Sequence, residues 1–505
     1  MSPSFLIRPL CLALVLVLSA CAVGPRYDAP PTIATPVAFK EGQGEWIKAT
    51  PSDALERGPW WQLFNDPVLN ELAGRVEVSN QNVAAAVAAY AQARALTAQQ
   101  RAALFPTVSL DAGANRSGTR GGGSVGTTTA GGTTIISSGG GGSTRTNYQF
   151  DIGASWEPDV FGRLNRSVSS ARAGEQASFA DLAAARLAAQ GELAANYFGL
   201  RAADAQKQLL AQTVAGYERV LQITRNRYEA GIAARTDVLQ AQTQLANARA
   251  DLLGQERTRA QLEHAIAVLV GQAPANFSLP VDPNWRIAVP DVPLSVPSTL
   301  LQRRPDIASA ERRVAQANEE IGIAQSAYYP SLRLTGSVGA GAASIGDLFS
   351  ASSLVWALGA SAAQTLFNAG ATRAQVEAAR AGFDEAAARY RQTVLAAFQN
   401  VEDQLSGVRI LGQQVALREE AAQAADLVEQ QVLNRYQAGQ VGFTDVVNAQ
   451  ATAQNARRSL LQLQGDRQAA AVALIQAMGG GWSGLEERAP STAPRGSTGS
   501  PPPRG

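Results

Sequence analysis

The chain has 505 residues, with 43 Lys and Arg against 42 Asp and Glu and a net charge of +1. So even a balance argues against a nucleic-acid or polyanion partner. One histidine (His264) and two cysteines leave little for a metal centre or a catalytic triad. His264 falls in an Ala- and Leu-rich helical pattern, the setting of a structural residue. No enzymatic activity, cofactor or metal site is expected.

Residues 1–20 read as a targeting segment outside the fold. Arg8 supplies its positive region, and residues 10–18 form an apolar run too short to span a bilayer. The run ends in Leu18-Ser19-Ala20-Cys21, which resembles a bacterial lipoprotein signal. That resemblance implies cleavage before Cys21 and lipid on its sulfur and new amino group; the other reading is an ordinary signal peptide with an incidental cysteine. Cys11 leaves with the signal, so the mature chain has no second cysteine for a disulfide. Each buried acyl methylene contributes ~0.8 kcal/mol, so several chains hold a protein firmly at a membrane. Ala22 rather than Asp after the cysteine suits delivery to the outer membrane, again by resemblance. No later stretch has the ~20 consecutive apolar residues of a transmembrane helix, so any crossing must be made by strands.

Residues 22–65 are Pro-rich and irregular, with Trp46, Trp60 and Trp61 as packing anchors. A first repeat spans 66–272. Asp66-Pro67 reads as N-cap and first helical position, opening a helix to about Ala103. The Gly/Ser/Thr-rich stretch 118–146 reads as a flexible loop without core-forming content. A proline-free helix runs from near Phe161 to Tyr228, and its roughly 65 residues make a rod of ~100 Å. Gly231 is placed as the C′ residue and Thr236 as the N-cap of a return helix to about Val270. A linker covers 273–303, and a second repeat covers 304–480. There Pro305 opens a helix to about Ala327, and another long helix runs from about Ala371 to Tyr436. Gly439 and Thr444 form the second tip. The return helix ends near Met478, at Gly479-Gly480-Gly481, before a Pro/Gly/Ser-rich tail, 481–505, that reads as disordered.

The two repeats are one unit written twice. Arg227-Tyr228-Glu229-Ala230-Gly231, Thr236-Asp237-Val238 and Ala241-Gln242 recur as Arg435-Tyr436-Gln437-Ala438-Gly439, Thr444-Asp445-Val446 and Ala449-Gln450, each 208 positions on. The register continues through Asn247-Ala248-Arg249 and Asn455-Ala456-Arg457. Upstream, Val83, Ala86, Ala93 and Phe105-Pro106 match Ile307, Ala310, Ala317 and Tyr329-Pro330 at a shift of 224, and the Gly-rich stretch accounts for the difference. Such duplication predicts a quasi-symmetric architecture.

Four strand-like runs lie between the early and long helices. Tyr148, Phe150, Ile152, Ala154 and Trp156 alternate with Gln149, Asp151, Gly153 and Ser155; Leu354, Trp356, Leu358, Ala360 and Ala362 alternate with Val355, Ala357, Gly359 and Ser361. Weaker alternation follows each aromatic-Pro pair, at Val108, Leu110 and Ala112 and at Leu332, Leu334 and Val338. Period two over about 10 residues fits a tilted transmembrane strand, or else a half-buried sheet in a soluble domain. The targeting signal and the long helices favour lipid. An open four-stranded sheet cannot sit in hydrocarbon, because its edge N–H and C=O groups lack partners. Four strands are also too few to close a barrel around a lumen, so the barrel is shared, and three chains give 12 strands. Heptad-spaced Val238, Leu245 and Leu252 with Ala241 and Ala248, mirrored by Val446, Ala453 and Leu460 with Ala449 and Ala456, form a narrow coiled-coil seam.

Together these features resemble the outer-membrane efflux factors of tripartite export systems, specifically their lipoprotein branch (NodT-type, OprM-like, TolC-related). The residues that carry the resemblance are Leu18-Ser19-Ala20-Cys21, Trp60-Trp61, Phe64-Asn65-Asp66-Pro67, Trp156-Glu157-Pro158-Asp159-Val160-Phe161-Gly162-Arg163, Arg303-Arg304-Pro305-Asp306-Ile307 and both Arg-Tyr-x-Ala-Gly tips. The resemblance implies an α+β membrane protein. Four strands per chain join a trimeric 12-stranded β-barrel in the outer membrane, and the long antiparallel helices form a periplasmic α-barrel. It implies a homotrimer, lipid-anchored at Cys21, that serves as a passive exit duct for drugs or other small molecules. Its partners would be a periplasmic adaptor and an inner-membrane RND pump.

By position in such channels, Asp445 and Asn448 fall on a periplasmic constriction. Asp237 falls where a carboxylate accepts a bond from the tyrosine that Tyr436 matches, and Arg227, Tyr228, Gly231, Arg435 and Gly439 fall on adaptor-facing tips. The sequence departs from the family's acidic pattern at Asn448 and from a relative's arginine latch at Val441. A simpler reading of Asp237 and Asp445 is favourable interaction with the helix macrodipole, worth ~0.3–1 kcal/mol. The alternative functions are a type I protein-secretion duct and a non-channel coiled-coil structural lipoprotein.

Overall fold

The fold is known from a computed structural model, which describes residues 23–27, 35–36, 38–42, 59–119, 126–130, 133–137, 143–282, 285–287, 289–290 and 304–482. The expectations for the signal, Cys21, Trp46, Arg303, most of the linker and the tail beyond 482 fall outside these residues. The chain divides into two units; the first is residues 1–29, 93–174 and 314–386, the second 30–92, 175–313 and 387–505.

The first unit is built on a four-stranded antiparallel sheet of β1 (Thr107–Thr119), β4 (Ser143–Trp156), β5 (Ser331–Ala342) and β6 (Leu354–Ala363), in the order β1-β4-β5-β6. The register carries the alternation of the sequence across all four strands. Leu110 faces Ile152, Ile152 faces Val338, and Val338 faces Trp356. Because side chains alternate with period two, this aligns one apolar face. On it Val108, Leu110, Ile152, Leu334, Val338, Leu354, Trp356 and Leu358 are all exposed, Trp356 by 71%. The opposite face carries Ser109, Asp111, Gln149, Asp151, Arg333, Thr335, Ser337 and Ser361.

The Gly-rich stretch is more regular than expected. β1 runs on to Thr119 and β4 begins at Ser143, and a ribbon of β2 (Gly126–Ala130) and β3 (Thr133–Ser137) pairs between them. Its Thr and Ile residues are β-branched, which favours extended pairing over the loop that glycine content alone suggests.

The described residues also form the α-helices α1 (Pro67–Ser79), α2 (Gln81–Ala102), α3 (Arg163–Glu229), α4 (Arg235–Leu269), α5 (Pro305–Ser326), α6 (Ala371–Gln437) and α7 (Phe443–Ala477). The duplication shows in their lengths: α3 and α6 have 67 residues each, α4 and α7 have 35 each. The single early helix expected to Ala103 is two, broken at Asn80. That residue takes an extended conformation, accepts from the Asn82 and Val83 N–H groups, and donates its amide to the Leu269 carbonyl. Its own capping bonds offset the lost helical continuity. No described helix is long and apolar enough to cross a membrane.

The core of the second unit gathers Trp60, Trp61 and Phe64 from a short 3₁₀ turn, Leu69, Leu72 and Val76 of α1, Leu193, Tyr197 and Phe198 of α3, Ile266 of α4 and Ile475 of α7. Along the heptad seam Ala241, Leu245, Ala248, Val446, Ala449 and Ala453 are buried, while Val238, Leu252, Ala456 and Leu460 are half-buried.

Candidate functional site

The two tips end their long helices in the same way. Gly231 (φ +74°) and Gly439 (φ +75°) adopt the left-handed conformation that glycine takes without a Cβ penalty. The Ile232 N–H bonds the Arg227 carbonyl and Gly231 bonds Tyr228; Gln440 bonds Arg435 and Gly439 bonds Tyr436. Both are complete Schellman closures. The return helices start one residue before the expected threonine caps. Ala234 and Gly442 hold the N-cap positions in extended geometry, which leaves Thr236 and Thr444 inside the first turn. Glycine has no capping side chain, so the second tip relies on the Asp445 carboxylate, which accepts from the Gly442 N–H at 3.2 Å. Capping is thus an observed role of Asp445.

The tips differ in what surrounds each tyrosine. Tyr436 is 3% exposed and packs against Phe443 at 5.6 Å between ring centroids. Arg227 reaches across from the first tip and lays its guanidinium 4.8 Å from the Tyr436 ring centre. It also donates to the Tyr436 and Gln437 carbonyls at 3.0 and 3.3 Å. A cation stacked on an aromatic ring and bonded to the last carbonyls of a helix gains from both ring quadrupole and helix dipole. Tyr217, Val220, Leu221, Leu245 and Val446 continue this cluster beneath the tips. Burial pushes the Tyr217 phenol above its ordinary pKa, with Glu429 adding to the shift and Arg457 opposing it.

Two expectations change here. Among the described residues the Tyr436 hydroxyl has no hydrogen-bond partner, so the bond to Asp237 is not made; the ring is instead turned into the cluster between Arg227 and Phe443. Arg227, expected to face an adaptor, is committed to the second tip. Tyr228, Gly231, Arg435 and Gly439 are exposed, as are Asp445 and Asn448 on one side of α7. Higher on the hairpins the duplication extends to an ion pair. Arg249 meets Glu218 at 2.7 Å, and its counterpart Arg457 meets Asp426 at 2.7 Å and Glu429 at 2.8 Å.

The remaining motifs build the ends of the helices. Asp66 caps α1 through the Val68 and Leu69 N–H groups, and its second oxygen accepts from the buried Tyr197 hydroxyl at 2.7 Å. Asp159 caps α3 by accepting from Leu164 and Asn165, Gly162 (φ +79°) makes the turn, and Trp156 donates to the Leu104 carbonyl. Arg304 grips Asp306 through two nitrogens and donates to the Ala477 carbonyl at the end of α7.

A polar network that sequence reading missed adjoins the first of these. Arg259 holds Asp204 at 2.6 Å, Glu263 at 3.2 Å and the Leu279 carbonyl, while Arg201 bonds Tyr197, Asp204 and the Pro280 carbonyl. Desolvation lowers the Arg259 pKa, but the hydrogen bonds and charges of Asp204 and Glu263 together outweigh it and the net shift is upward. The i,i+3 and i,i+4 spacing of Arg201 with Asp204 and Arg259 with Glu263 was the available signal. Among the described residues no group of three His, Cys, Asp or Glu is placed to hold a metal ion.

The outer membrane efflux protein family model matches residues 72–272 and 296–480. The chain belongs to that family. As an outer membrane efflux protein it is the outer-membrane channel component of an efflux system and is localised to the outer membrane. It is 31% identical over 471 residues to the antibiotic efflux pump outer membrane protein ArpC of Pseudomonas putida, covering 92% of this chain and 94% of ArpC. It is 26% identical over 485 residues to the cation efflux system protein CusC of Escherichia coli, covering 95% and 100%. Among solved structures, the outer-membrane channel OprN superposes with a TM-score of 0.78 at 28% identity, covering 92% of this chain and all of OprN.

Proposed function

We propose that three copies of this outer membrane efflux protein form a passive exit duct for small molecules, working with a periplasmic adaptor and an inner-membrane RND pump. The observation that carries this is the sheet: one face presents Val108, Leu110, Ile152, Leu334, Val338, Leu354, Trp356 and Leu358 as exposed apolar side chains, with β1 and β6 as open edges. Hydrocarbon tolerates neither an unpaired edge nor a polar outer face. Pairing β6 of one protomer with β1 of the next removes both edges, and three copies close 12 strands with the polar face toward a wet lumen. Lipid on Cys21 would anchor each chain in the same membrane. The long hairpins continue the duct into the periplasm. Asp445 and Asn448, three residues apart and exposed on one side of α7, line its closed end, and the tips around Gly231, Arg435 and Gly439 receive the adaptor.

Energy comes from the pump, so this chain needs only a bistable tip biased by docking. Planar-bilayer recording tests the reading. The wild type should form discrete, poorly conducting channels, and Asp445→Ala with Arg227→Ala, which removes the α7 cap and the bonds between the two tips, should raise their conductance. Protein that inserts without conducting in either form would refute the duct; equal conductance in both would refute the gate.

A further inference from the structure

The Arg227–Tyr436 joint occupies half of a duplicated motif, and the other half is empty among the described residues. The counterparts at a shift of 208 are Arg435 and Tyr228. Among the described residues Arg435 is exposed and its guanidinium makes no hydrogen bond or ion pair. Tyr228 is 45% exposed, against 3% for Tyr436. Its carbonyl accepts from the Gly231 N–H but from no side chain, whereas the Tyr436 carbonyl accepts from both Gly439 and Arg227. The two Schellman closures present the same backbone, so a guanidinium that fits one fits the other.

We propose that Arg435 of each protomer stacks on Tyr228 of the next and donates to its Tyr228 and Glu229 carbonyls, so that the tips form a ring of six like joints, three within chains and three between them. This rests on the ring assembly proposed above. The direction of the contact makes it cyclic. The first tip's arginine reaches the second tip, so in a closed ring the second tip's arginine reaches the first tip of the following copy.

Charge fits the exchange. Where the intrachain joint has neutral Gln437, the interchain joint has Glu229, a carboxylate beside the incoming guanidinium. The carboxylate of Asp237, the third residue of the return helix, makes no hydrogen bond or ion pair among the described residues and is a second acceptor within the same turn. Against these stands Arg235, which replaces Phe443. The interchain joint therefore keeps the cation and the carbonyls but lacks the aromatic platform, and it is the weaker of the two.

The test is paired-cysteine cross-linking of the full-length protein in detergent with a short bis-maleimide. With Cys11 lost with the signal and the Cys21 sulfur acylated, as the lipoprotein signal implies, the wild-type chain offers the maleimide no free thiol and serves as the control. Tyr228→Cys with Arg435→Cys should give covalent dimers and trimers on denaturing gels. Arg227→Cys with Tyr436→Cys should cross-link within the chain and stay at monomer mass. Native mass, measured on each variant before cross-linking, separates the possible failures. Trimers without covalent oligomers in the first pair would overturn the interchain joint and leave the assembly standing. Monomers in wild type would overturn the assembly itself.

Discussion

Removing the Arg227 side chain isolates the joint that binds one tip to the other. Two hydrogen bonds from a charged donor to helix-terminal carbonyls are worth about 1.5–3 kcal/mol, and the stack on Tyr436 about 0.5–1 kcal/mol. Arg227 is only partly buried and its Nε has no partner, which places the sum near the lower end. Arg227→Ala should therefore weaken the closed second tip by about 2 kcal/mol, roughly a 30-fold rise in its local opening constant. Hydrogen exchange at amides 436–446 reads that opening directly. Arg227→Lys keeps the charge but loses the planar stack and fork, and should fall between the two. Unchanged exchange at 436–446 in Arg227→Ala would refute the account of the joint. So would an equal rise at the far ends of α3 and α6.

Three further perturbations follow from the same geometry. Asp66→Ala removes the α1 cap, costing about 1 kcal/mol, and strands the Tyr197 hydroxyl at a further 1–3 kcal/mol or so; exchange over residues 67–79 should accelerate, and Asp66→Asn should recover most of the cap. Leu358→Arg, on the apolar face, should cost about 2–4 kcal/mol if the residue lies near mid-membrane. Ser361→Arg on the polar face should be tolerated, as read from outer-membrane flotation of the two proteins. Burial raises the phenol pKa values of Tyr197, Tyr217 and Tyr390, with the Asp66 bond adding at Tyr197. The stability they contribute is complete below the ordinary tyrosine pKa of about 10 and is lost as pH rises toward the folded values. Absorbance titration at alkaline pH should show a late fraction that shrinks in Tyr197→Phe.

What was legible in the sequence was local. Helix ends announce themselves through residues with one backbone job, as at Asp66-Pro67, Gly231, Gly439 and Pro305, and each stands where its chemistry requires. Period two named the apolar face of the sheet before any pairing was known, because a strand's two faces are written in alternate residues. What was not legible depended on a partner far along the chain. Tyr228 and Tyr436 sit in near-identical motifs, yet one is exposed and one buried. The difference comes from Arg227, more than 200 residues from the ring it covers, and from Phe443 in place of Arg235. Asn80 looked like an ordinary helical position because the carbonyl that holds its side chain belongs to Leu269. The threonine caps failed for a smaller reason: the extended residue that follows each tip starts the helix early, and backbone conformation rather than side-chain type set the boundary.

A chain with an open four-stranded sheet and two helical hairpins should function only as a ring of three. Native mass spectrometry of the detergent-extracted, full-length protein tests it most directly. Three chains per particle are expected, with no stable monomer carrying the exposed apolar sheet. A stable, folded monomer would contradict it.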